Sequence, residues 1–414
     1  MLVAGVQLLF LLLLLLLLSG AVSALLASSQ LPPVRPGRPR PPPRTIGSRM
    51  DLLRVGGSTT MYDPASFGGD PTGQRDSTAA FAKLIHAAWA DATTAKHGCL
   101  TVPAGCINVT NLGGAIIDLR GGTFRMNSPV VFPASGGGNL GVQDGTLRAG
   151  EGFPAGRFLI ELNISATDWP HQTFVDLTFS NLVLDGDNLA GGLSCVNCDH
   201  VTIDRCWVMG FQGFGIYTLG GHEVYVSNSW VSQNNHPTHP NGTGILMSCA
   251  DSSLIDTVIF DTRLGFWCGA GNSVVSNVHV YNSGHVTWPT ANDTFDAAPF
   301  GGAYIGDKGQ MRLIGAYFDD CTLVIDNPRR VTVTDGLWLL GEATTSGGLI
   351  LRGAEMRGLT VRNNYISTAA SFHTNASARA YVNSTFILLA ELDGKVCDGS
   401  TADSVFIGNN DYAD

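Results

Sequence analysis

Charged residues are scarce in this chain, and positive charge is scarcer than negative. Only 14% of the 414 residues are Asp, Glu, Lys or Arg, and the formal net charge is −10. Residues 1–50 contain five of the 24 Lys and Arg residues and none of the 34 acids, so residues 51–414 carry a net charge of −15. Such an acidic body argues against a nucleic-acid partner and against general attraction to anionic surfaces. A polyanionic ligand would need a local basic patch.

The periodicity of a helical repeat is also missing. Apolar residues do not recur three and four positions apart over long runs, and 51 glycines interrupt the chain. Instead, one short sequence pattern, which we call a line, recurs seven times, with starts 20 to 37 residues apart. The lines begin at Gly192, Gly215, Gly244, Gly265, Gly302, Thr322 and Gly348. A unit of this size, repeated in tandem, is typical of a solenoid.

Aligning the seven lines predicts which side chains face inward. In the first six lines, positions 1, 3, 9, 11 and 15 after the start are mostly apolar, with Thr218, Ser253 and Ser276 as exceptions, and turn residues lie between positions 4 and 8. Because this alternation is the period of a strand with one buried face, we expect an all-β fold, a right-handed parallel β-helix. Position 15 should point inward at Trp207, Trp230, Ile259, Val280, Tyr317 and Leu337. Position 2 should point outward at Ser194, Tyr217, Leu246, Trp267, Tyr304 and Val324.

The first 56 residues are predicted to lie outside the folded domain. Residues 3–18 are almost all apolar, and small residues at 21–24 suit signal-peptide cleavage, although no basic stretch precedes them. We expect a signal peptide at 1–24, with a signal anchor as the alternative, and a Pro/Arg-rich disordered linker at 25–56. One domain at 57–414 would hold an N-terminal segment with a capping helix (57–112), rungs (113–367) and a C-terminal rung and cap (368–414).

Six Asn-X-Ser/Thr sequences support a secreted glycoprotein when they stand behind a signal peptide. They begin at Asn108, Asn163, Asn241, Asn292, Asn375 and Asn383.

Nine cysteines are an odd number, so at least one is unpaired or pairs outside the chain. Cys99 and Cys106 flank a short loop and are the best candidates for a disulfide. Cys195, Cys198 and Cys206 cluster in the sequence, but Cys195 falls on an inward position, which favours buried structural cysteines over a metal site. We expect neither a metal nor a cofactor.

An amphipathic helix is predicted after Asp76 or Ser77, either of which can serve as its N-cap. Its apolar stripe comprises Ala80, Phe81, Leu84, Ile85, Ala88 and Trp89. The first rung of a β-helix needs a cover against edge-to-edge association, and this helix is a natural cap. The glycines at 68–73 precede no lysine, which argues against a phosphate-binding loop.

Several short segments resemble a known superfamily. They are Phe67-Gly-Gly-Asp-Pro-Thr-Gly-Gln-Arg-Asp-Ser, Gly113-Gly-Ala-Ile-Ile-Asp-Leu-Arg-Gly-Gly-Thr-Phe, Ser135-Gly-Gly-Gly-Asn-Leu, Gly145-Thr-Leu-Arg-Ala, Gly220-Gly-His-Glu and Val226-Ser-Asn-Ser. The first two are similar to the N-terminal signature of the pectate-lyase-like, rhamnogalacturonase/epimerase-type β-helix proteins. The others resemble plant polygalacturonases of the QUARTET-3 type, in the glycoside hydrolase 28 group. The resemblance implies a secreted plant cell-wall protein, located outside the cell, that hydrolyses homogalacturonan.

The family's usual active-site motifs, which we call words, are Asn-Thr-Asp, Gly-Asp-Asp, Gly-His-Gly and Arg-Ile-Lys, and none is intact here. Asp319 and Asp320 resemble the second word, Asp296 lies one rung earlier where the first would fall, and His222 stands in a fragment of the third. These four residues are the catalytic candidates. Acids and one arginine gather at the corner before the rung start, namely Asp185, Asp187, Asp261, Arg263, Asp293, Asp296, Asp319 and Asp320.

Sugar binding is expected on the outward face of the rung strands. Tyr217, Trp267 and Tyr304 could stack on sugar rings, or could reflect ordinary strand preference. Arg263 and Lys308 could meet substrate carboxylates. Arg312, Arg329 and Arg330 lie in neighbouring turns and serve either that purpose or charge balance.

Three functions follow as hypotheses. The first is a polygalacturonase that cleaves α-1,4-galacturonosyl linkages with a pair of carboxyl groups. The second is a pectin-binding β-helix protein without catalysis, which the incomplete words favour. The third is a pectate lyase, which would need a basic residue near bound Ca²⁺. In each case we expect a monomer that is not inserted in a membrane after signal cleavage, with pectic polysaccharide as its partner.

Overall fold

Residues 60–92, 98–102, 105–169, 171–233, 241–269, 271–281, 302–306, 309–321, 323–326, 328–340, 349–352, 357–368, 389–391, 405–408 and 411–413 are described by the computed structural model. Their strands form one large sheet in which every pairing is parallel, apart from the separate hairpin Gly98–Val102 and Gly105–Val109. The sheet winds into a right-handed parallel β-helix, as the sequence predicts, and the coil has three faces. We call the faces A, B and C in the order in which each rung visits them.

Face A begins with Val130–Val131 and carries the residues that the sequence singles out for sugar binding. Its further strands are Phe158–Asn163, the first part of Gly191–Asp204, the first part of Phe214–Ser227, Thr243–Ala250, Leu264–Cys268, Ala303–Ile305, Leu323–Asp326, Leu349–Arg352 and Leu389–Glu391.

Face B begins with Met61–Tyr62 and Asn111–Asp118. It continues with the first parts of Gly137–Ala149 and Phe174–Asp185, the second parts of Gly191–Asp204 and Phe214–Ser227, then Ser253–Ile255, Ser273–Ser276, Met311–Ile314, Arg329–Thr334, Arg357–Arg362 and Val405–Gly408.

Face C begins with Thr72–Asp76 and Thr123–Met126. It continues with the second parts of Gly137–Ala149 and Phe174–Asp185, then Trp207–Met209, Trp230–Ser232, Val258–Phe260, His279–Tyr281, Tyr317–Asp319, Leu337–Leu340, Tyr365–Thr368 and Asp411–Ala413.

The predicted helix covers the N-terminal end of the coil. It runs over Thr78–Ala92, and its buried side chains are Ala80, Phe81, Leu84, Ile85 and Ala88. The Asp76 carboxylate accepts the Thr78 N–H at 3.0 Å, which satisfies a free donor of the first turn. Phe81 packs edge-to-face on Phe124, and the Trp89 indole donates to the Gly136 carbonyl. The helix therefore removes an otherwise open end of the core from solvent.

Glycines at the start of the face A strands allow close approach between neighbouring rungs. A Cβ on Gly192, Gly215 or Gly244 would lie 2.4 to 2.7 Å from the carbonyl oxygen of the corresponding glycine in the next rung. No side chain fits such a gap, so the repeated glycine of the sequence is explained by crowding between backbones.

Position 15 of the repeat differs from the prediction in four of its six copies, whereas Ile259 and Val280 are buried as predicted. Trp207 and Trp230 are 42% and 48% exposed, and the inward residues are Val208 and Val231. The same shift by one residue places Phe318 and Trp338 in the core in place of Tyr317 and Leu337. At position 9, Leu254 and Val275 are buried in place of Ser253 and Val274. Because the side-chain period of a strand is two, a shift of one residue reverses the face of each side chain.

The hairpin register pairs Cys99 with Asn108 and Cys106 with Thr101, so the two cysteines are not directly opposite. A disulfide between them stays a prediction. Cys195, Cys198 and Cys206 are buried and free, as the sequence indicates. Burial raises the pKa of the Cys206 thiol to about 12, which keeps this sulfur protonated. Within the described residues, no group of His, Cys, Asp and Glu could hold a metal ion.

Candidate active site

Three carboxylates, those of Asp261, Asp319 and Asp320, lie where face C turns into face A, next to the thiol of Cys321. We call these four residues the acid corner. Asp261 and Asp320 each follow the last residue of a face C strand. Both have a left-handed backbone, with φ of 49° and 51°, and both donate their N–H to a carbonyl of the next rung. They therefore occupy equivalent positions, which Asp tolerates better than most residues.

The rung spacing fixes the separation of these two acids. Phe260 pairs with Tyr281, and Tyr281 pairs with Asp319, so Asp261 and Asp320 are two rungs apart. With ~4.8 Å between neighbouring strands, their backbones lie roughly 9–10 Å apart. Inverting glycosidases hold their two carboxyl groups about 6.5–9.5 Å apart, with room for a water molecule between them. Side chains leaning together from these positions can meet that requirement.

All three carboxylates influence the pKa of one buried thiol, that of Cys321. Burial raises the pKa of Cys321 well above its usual value, and the charges of Asp320, Asp319 and Asp261 raise it further. Asp261 is itself only 3% exposed, whereas Asp319 and Asp320 are half-buried. Cys321 therefore stays protonated, because burial and the nearby carboxylates both disfavour a thiolate.

Aromatic side chains line the face C side of the acid corner. The Tyr317 hydroxyl donates to Asp319 Oδ2 at 3.1 Å. Burial, that hydrogen bond and the nearby carboxylates raise the pKa of Tyr317. Burial also raises the pKa of Tyr281, and the Asp261 charge adds to the shift. Both hydroxyls therefore stay protonated at physiological pH and can act as donors.

His279 lies between these tyrosines. Its ring stacks on Tyr317 with centroids 4.1 Å apart and lies 4.8 Å from Tyr281. Burial lowers the pKa of His279, and the Asp319 charge opposes that shift only in part. Its Nε2 atom is buried and forms no hydrogen bond with any residue that the structure describes. The imidazole is thus held neutral beside the acids.

The outward-facing position 2 residues of face A form a column across successive strands. The register aligns Tyr217, Leu246, Trp267, Tyr304 and Val324 on successive strands. Trp267 and Tyr304 pack edge-to-face at 5.8 Å, and Trp267 is 38% exposed. Leu246 and Val324 are buried, so the column is partly covered at these two rungs. Tyr217 lies two rungs from Trp267, against Phe158 and Phe214.

The structure brings together some of the predicted site residues and separates others. Asp319 and Asp320 lie at the acid corner, and Arg263 is half-buried there, two residues after Asp261. His222 lies at the opposite end of face A, where it faces Asp251 at 3.5 Å and packs on Trp169. It is two rungs from the level of Asp261 and four from that of Asp320, so it does not reach the acids.

Other predicted residues fall elsewhere. Asp296 and Lys308, together with Asp293, lie outside the described residues. Asp185 is three rungs before the level of Phe260 and is bound by Arg148 at 2.7 Å.

Sequence reasoning missed His279, Tyr281 and Tyr317 as neighbours of the acids. The signal was present, because Val280 and Phe318 are apolar residues that alternate with them. The misplaced register at position 15 turned Tyr317 inward, although Val280 was placed correctly between His279 and Tyr281.

A parallel sheet that winds through three faces defines a right-handed parallel β-helix protein. No family model matches the chain. It is 31% identical over 360 residues to polygalacturonase QRT3 of Arabidopsis thaliana, an alignment that covers 84% of this chain and 67% of that protein. The chain therefore belongs to the QRT3-type polygalacturonase family, whose members are glycoside hydrolases.

Solved structures are similar in fold. PfbA, a surface adhesin of Streptococcus pneumoniae, matches with a TM-score of 0.52 at 13% identity, over 74% of this chain and 79% of that one. The A-module of the Azotobacter vinelandii mannuronan C-5 epimerase AlgE4 has a TM-score of 0.43 at 13% identity, over 85% and 100%. The first of these likenesses supports the β-helix fold and nothing further. No helix among the described residues is long and apolar enough to cross a membrane.

Proposed function

We propose that the protein is a polygalacturonase that hydrolyses α-1,4-galacturonosyl linkages of homogalacturonan at the acid corner. The observation that carries this proposal is the placement of Asp261 and Asp320, which occupy equivalent positions two rungs apart beside Asp319. Family membership supports the substrate, because the Arabidopsis relative is a polygalacturonase by name.

The chemistry needs two carboxyl groups with different tasks. One donates a proton to the glycosidic oxygen as its bond to C1 breaks, and the other accepts a proton from the water that forms the new bond to C1. Asp261 and Asp320 take these two tasks. Asp319, held by the Tyr317 hydroxyl, lies next to Asp320 and orients the attacking water. Because the pair leaves room for that water, the reaction inverts the anomeric configuration.

The test is a reducing-end assay on polygalacturonate with the full chain and single variants. Asp320→Asn and Asp261→Asn should each lower kcat by about 10² to 10⁴, the usual contribution of a general acid or base. Asp256→Asn is the matched control, because Asp256 lies on the same rung as Asp261, has the same φ of 49° and is exposed at the far corner of face C. Retention of full rate by Asp320→Asn contradicts the assignment.

Product stereochemistry tests the spacing separately. Proton NMR of the first product should show the inverted anomer. A retained anomer would instead implicate the adjacent acids Asp319 and Asp320, since retaining enzymes hold their carboxyl groups only about 5–5.5 Å apart.

A pectin-binding protein without catalysis is the second candidate, and the incomplete active-site words favour it. Retention on immobilised polygalacturonate with no new reducing ends would select it. Absorbance from unsaturated uronides would instead indicate a lyase.

Secretion to the cell wall is part of the proposal. The predicted signal peptide supports it, as does the similarity to a plant polygalacturonase, and the sequons at Asn163 and Asn241 are exposed. Their occupancy by glycans is measured by mass spectrometry of protein from plant cells before and after endoglycosidase treatment.

A further inference from the structure

The strands that start at the acid corner end at a second corner of opposite charge, where face A turns into face B. We call it the arginine corner: Asn272, Gln310, Arg312 and Arg330. A cavity of about 410 Å³ opens there, over the first residues of three successive face B strands. Its lining combines two guanidinium groups and two side-chain amides with a short apolar floor of Val274 and Met311.

The polar side chains at this corner form no hydrogen bond or ion pair with the residues that the structure describes. Arg312 and Arg330 are exposed, and no carboxylate among the described side chains lies within ion-pairing distance of either. Likewise, the amides of Asn272 and Gln310 form no side-chain hydrogen bond with the described part of the chain. By contrast, two exposed arginines elsewhere are paired, Arg205 with Asp204 at 3.0 Å and Arg148 with Asp185 at 2.7 Å.

Positive charge accumulates at this corner although the protein is acidic. Arg329 directly precedes Arg330, and both side chains are exposed, as is that of Arg312 on the neighbouring strand. Like charges close together on a sheet destabilise it. With a net charge of −15 over residues 51–414, a basic patch of this kind is not an average property of the surface.

The arginine corner and the acid corner share the same three strands. Each of these face A strands begins at the acid-corner edge and ends at the edge where the cavity lies. They are Leu264–Cys268, Ala303–Ile305 and Leu323–Asp326. A five-residue strand spans roughly 16 Å, so an oligosaccharide could reach both corners and a single sugar could not. Trp267 and Tyr304 lie between the corners, and a Cβ on Gly306 would be 3.4 and 3.2 Å from their rings.

We propose that the arginine corner binds the carboxylate of an acidic oligosaccharide that lies across face A. Guanidinium groups bind carboxylates through two parallel hydrogen bonds, and the amides complete the ring of donors. The proposal rests on the proposed function, because it assigns a distant anchor for the same substrate. It also explains how a strongly acidic protein holds a polyanion.

The experiment measures binding of trigalacturonate by calorimetry to the Asp320→Asn protein, which turns the ligand over slowly. Arg312→Gln and Arg330→Gln should each weaken binding on the order of tenfold, the value expected for a hydrogen bond to a charged group. Arg205→Gln is the matched control, since Arg205 is exposed and has a left-handed φ of 51°, close to the 59° of Arg330. The methyl ester of trigalacturonate should bind both arginine variants and the parent protein equally.

Three results would overturn the proposal. One is unchanged affinity in both arginine variants, and another is an equal loss in Arg205→Gln. The third is competition by inorganic phosphate as strong as that by trigalacturonate, which would mean a site for small oxyanions. If polygalacturonate is hydrolysed while the arginine variants bind normally, only the anchor fails. If no hydrolysis occurs but binding depends on the arginines, the catalytic proposal fails and the anchor stands.

Discussion

The two ends of face A carry opposite charge on the same three rungs. At the acid corner the charges of Asp261, Asp319 and Asp320 raise the pKa of a buried thiol, whereas at the arginine corner Arg312 and Arg330 line an open cavity. The acids are partly removed from water and bordered by aromatic rings, but the arginines are exposed. On the proposed function, the buried acids carry out the chemistry and the exposed arginines bind the substrate.

The same comparison explains why a solenoid suits this arrangement. Each rung repeats its corners at ~4.8 Å, so equivalent residues on alternate rungs acquire a fixed separation without any further design. A side chain at the acid corner and one at the arginine corner are then held apart by the width of face A. Chemistry and binding can therefore be altered independently by substitutions at the two ends.

The largest expected effect separates the corners by kinetics. Asp320→Asn should reduce kcat by about 10² to 10⁴, because a proton acceptor or donor is lost in the transition state. Arg312→Gln combined with Arg330→Gln should act mainly on KM, because ground-state binding is removed. Initial rates on polygalacturonate over a range of concentrations measure both. A fall in kcat of the same size in the arginine variant would mean that the corners act as one site.

The next effect uses salt. Affinity for trigalacturonate should fall about tenfold or more between low salt and roughly 0.5 M salt, since exposed guanidinium groups are screened over ~10 Å at 0.1 M ionic strength. The double arginine variant should lose most of this dependence. Neutral sugars of equal length are the control for general salt effects. A salt slope that survives in the variant would place the electrostatic contact elsewhere.

Much of the fold follows from the sequence because each rung repeats its constraints. The glycine at the rung start, the inward residues at positions 1 and 3 and the capping helix are all where the sequence places them. Position 15 is different, because a turn residue in the left-handed conformation comes before a buried polar residue. Ser229 and Thr257 point inward at that turn and bond to backbone groups, so hydrophobicity gives no guide to the register.

The candidate site was harder to predict for a related reason. Asp319 and Asp320 are recognisable from the family word, but their partner on an earlier rung is not. Asp261 qualifies by its backbone conformation and its place after the face C strand, and neither property is visible in residue types. His222 looked suitable as part of a family word, but the coil carries it to the other end of face A.

A stability comparison tests whether backbone crowding is specific to the acid-corner end of face A. Gly244→Ala should destabilise the fold by about 1–3 kcal/mol, because its Cβ would lie 2.5 Å from the Gly265 carbonyl oxygen. Gly269→Ala lies at the arginine-corner end, where the nearest atom is 3.4 Å away, and should change stability by no more than about 1 kcal/mol. Urea unfolding followed by circular dichroism gives both values. Equal losses would contradict the crowding argument.

The smallest effect concerns the neutral imidazole beside the acids. Because the folded-state pKa of His279 is lowered, the unfolded chain binds a proton more readily, so stability is full above the unfolded pKa of about 6.5 and declines as the pH falls below it. His279→Phe keeps the stacking on Tyr317 and should flatten the change in unfolding free energy between pH 8 and pH 5. Tyr281→Phe is the control, since the raised pKa of Tyr281 keeps its hydroxyl from titrating in this range. If both variants retain the wild-type dependence, the imidazole is charged in the folded state and the acid corner is more open to water than its burial indicates.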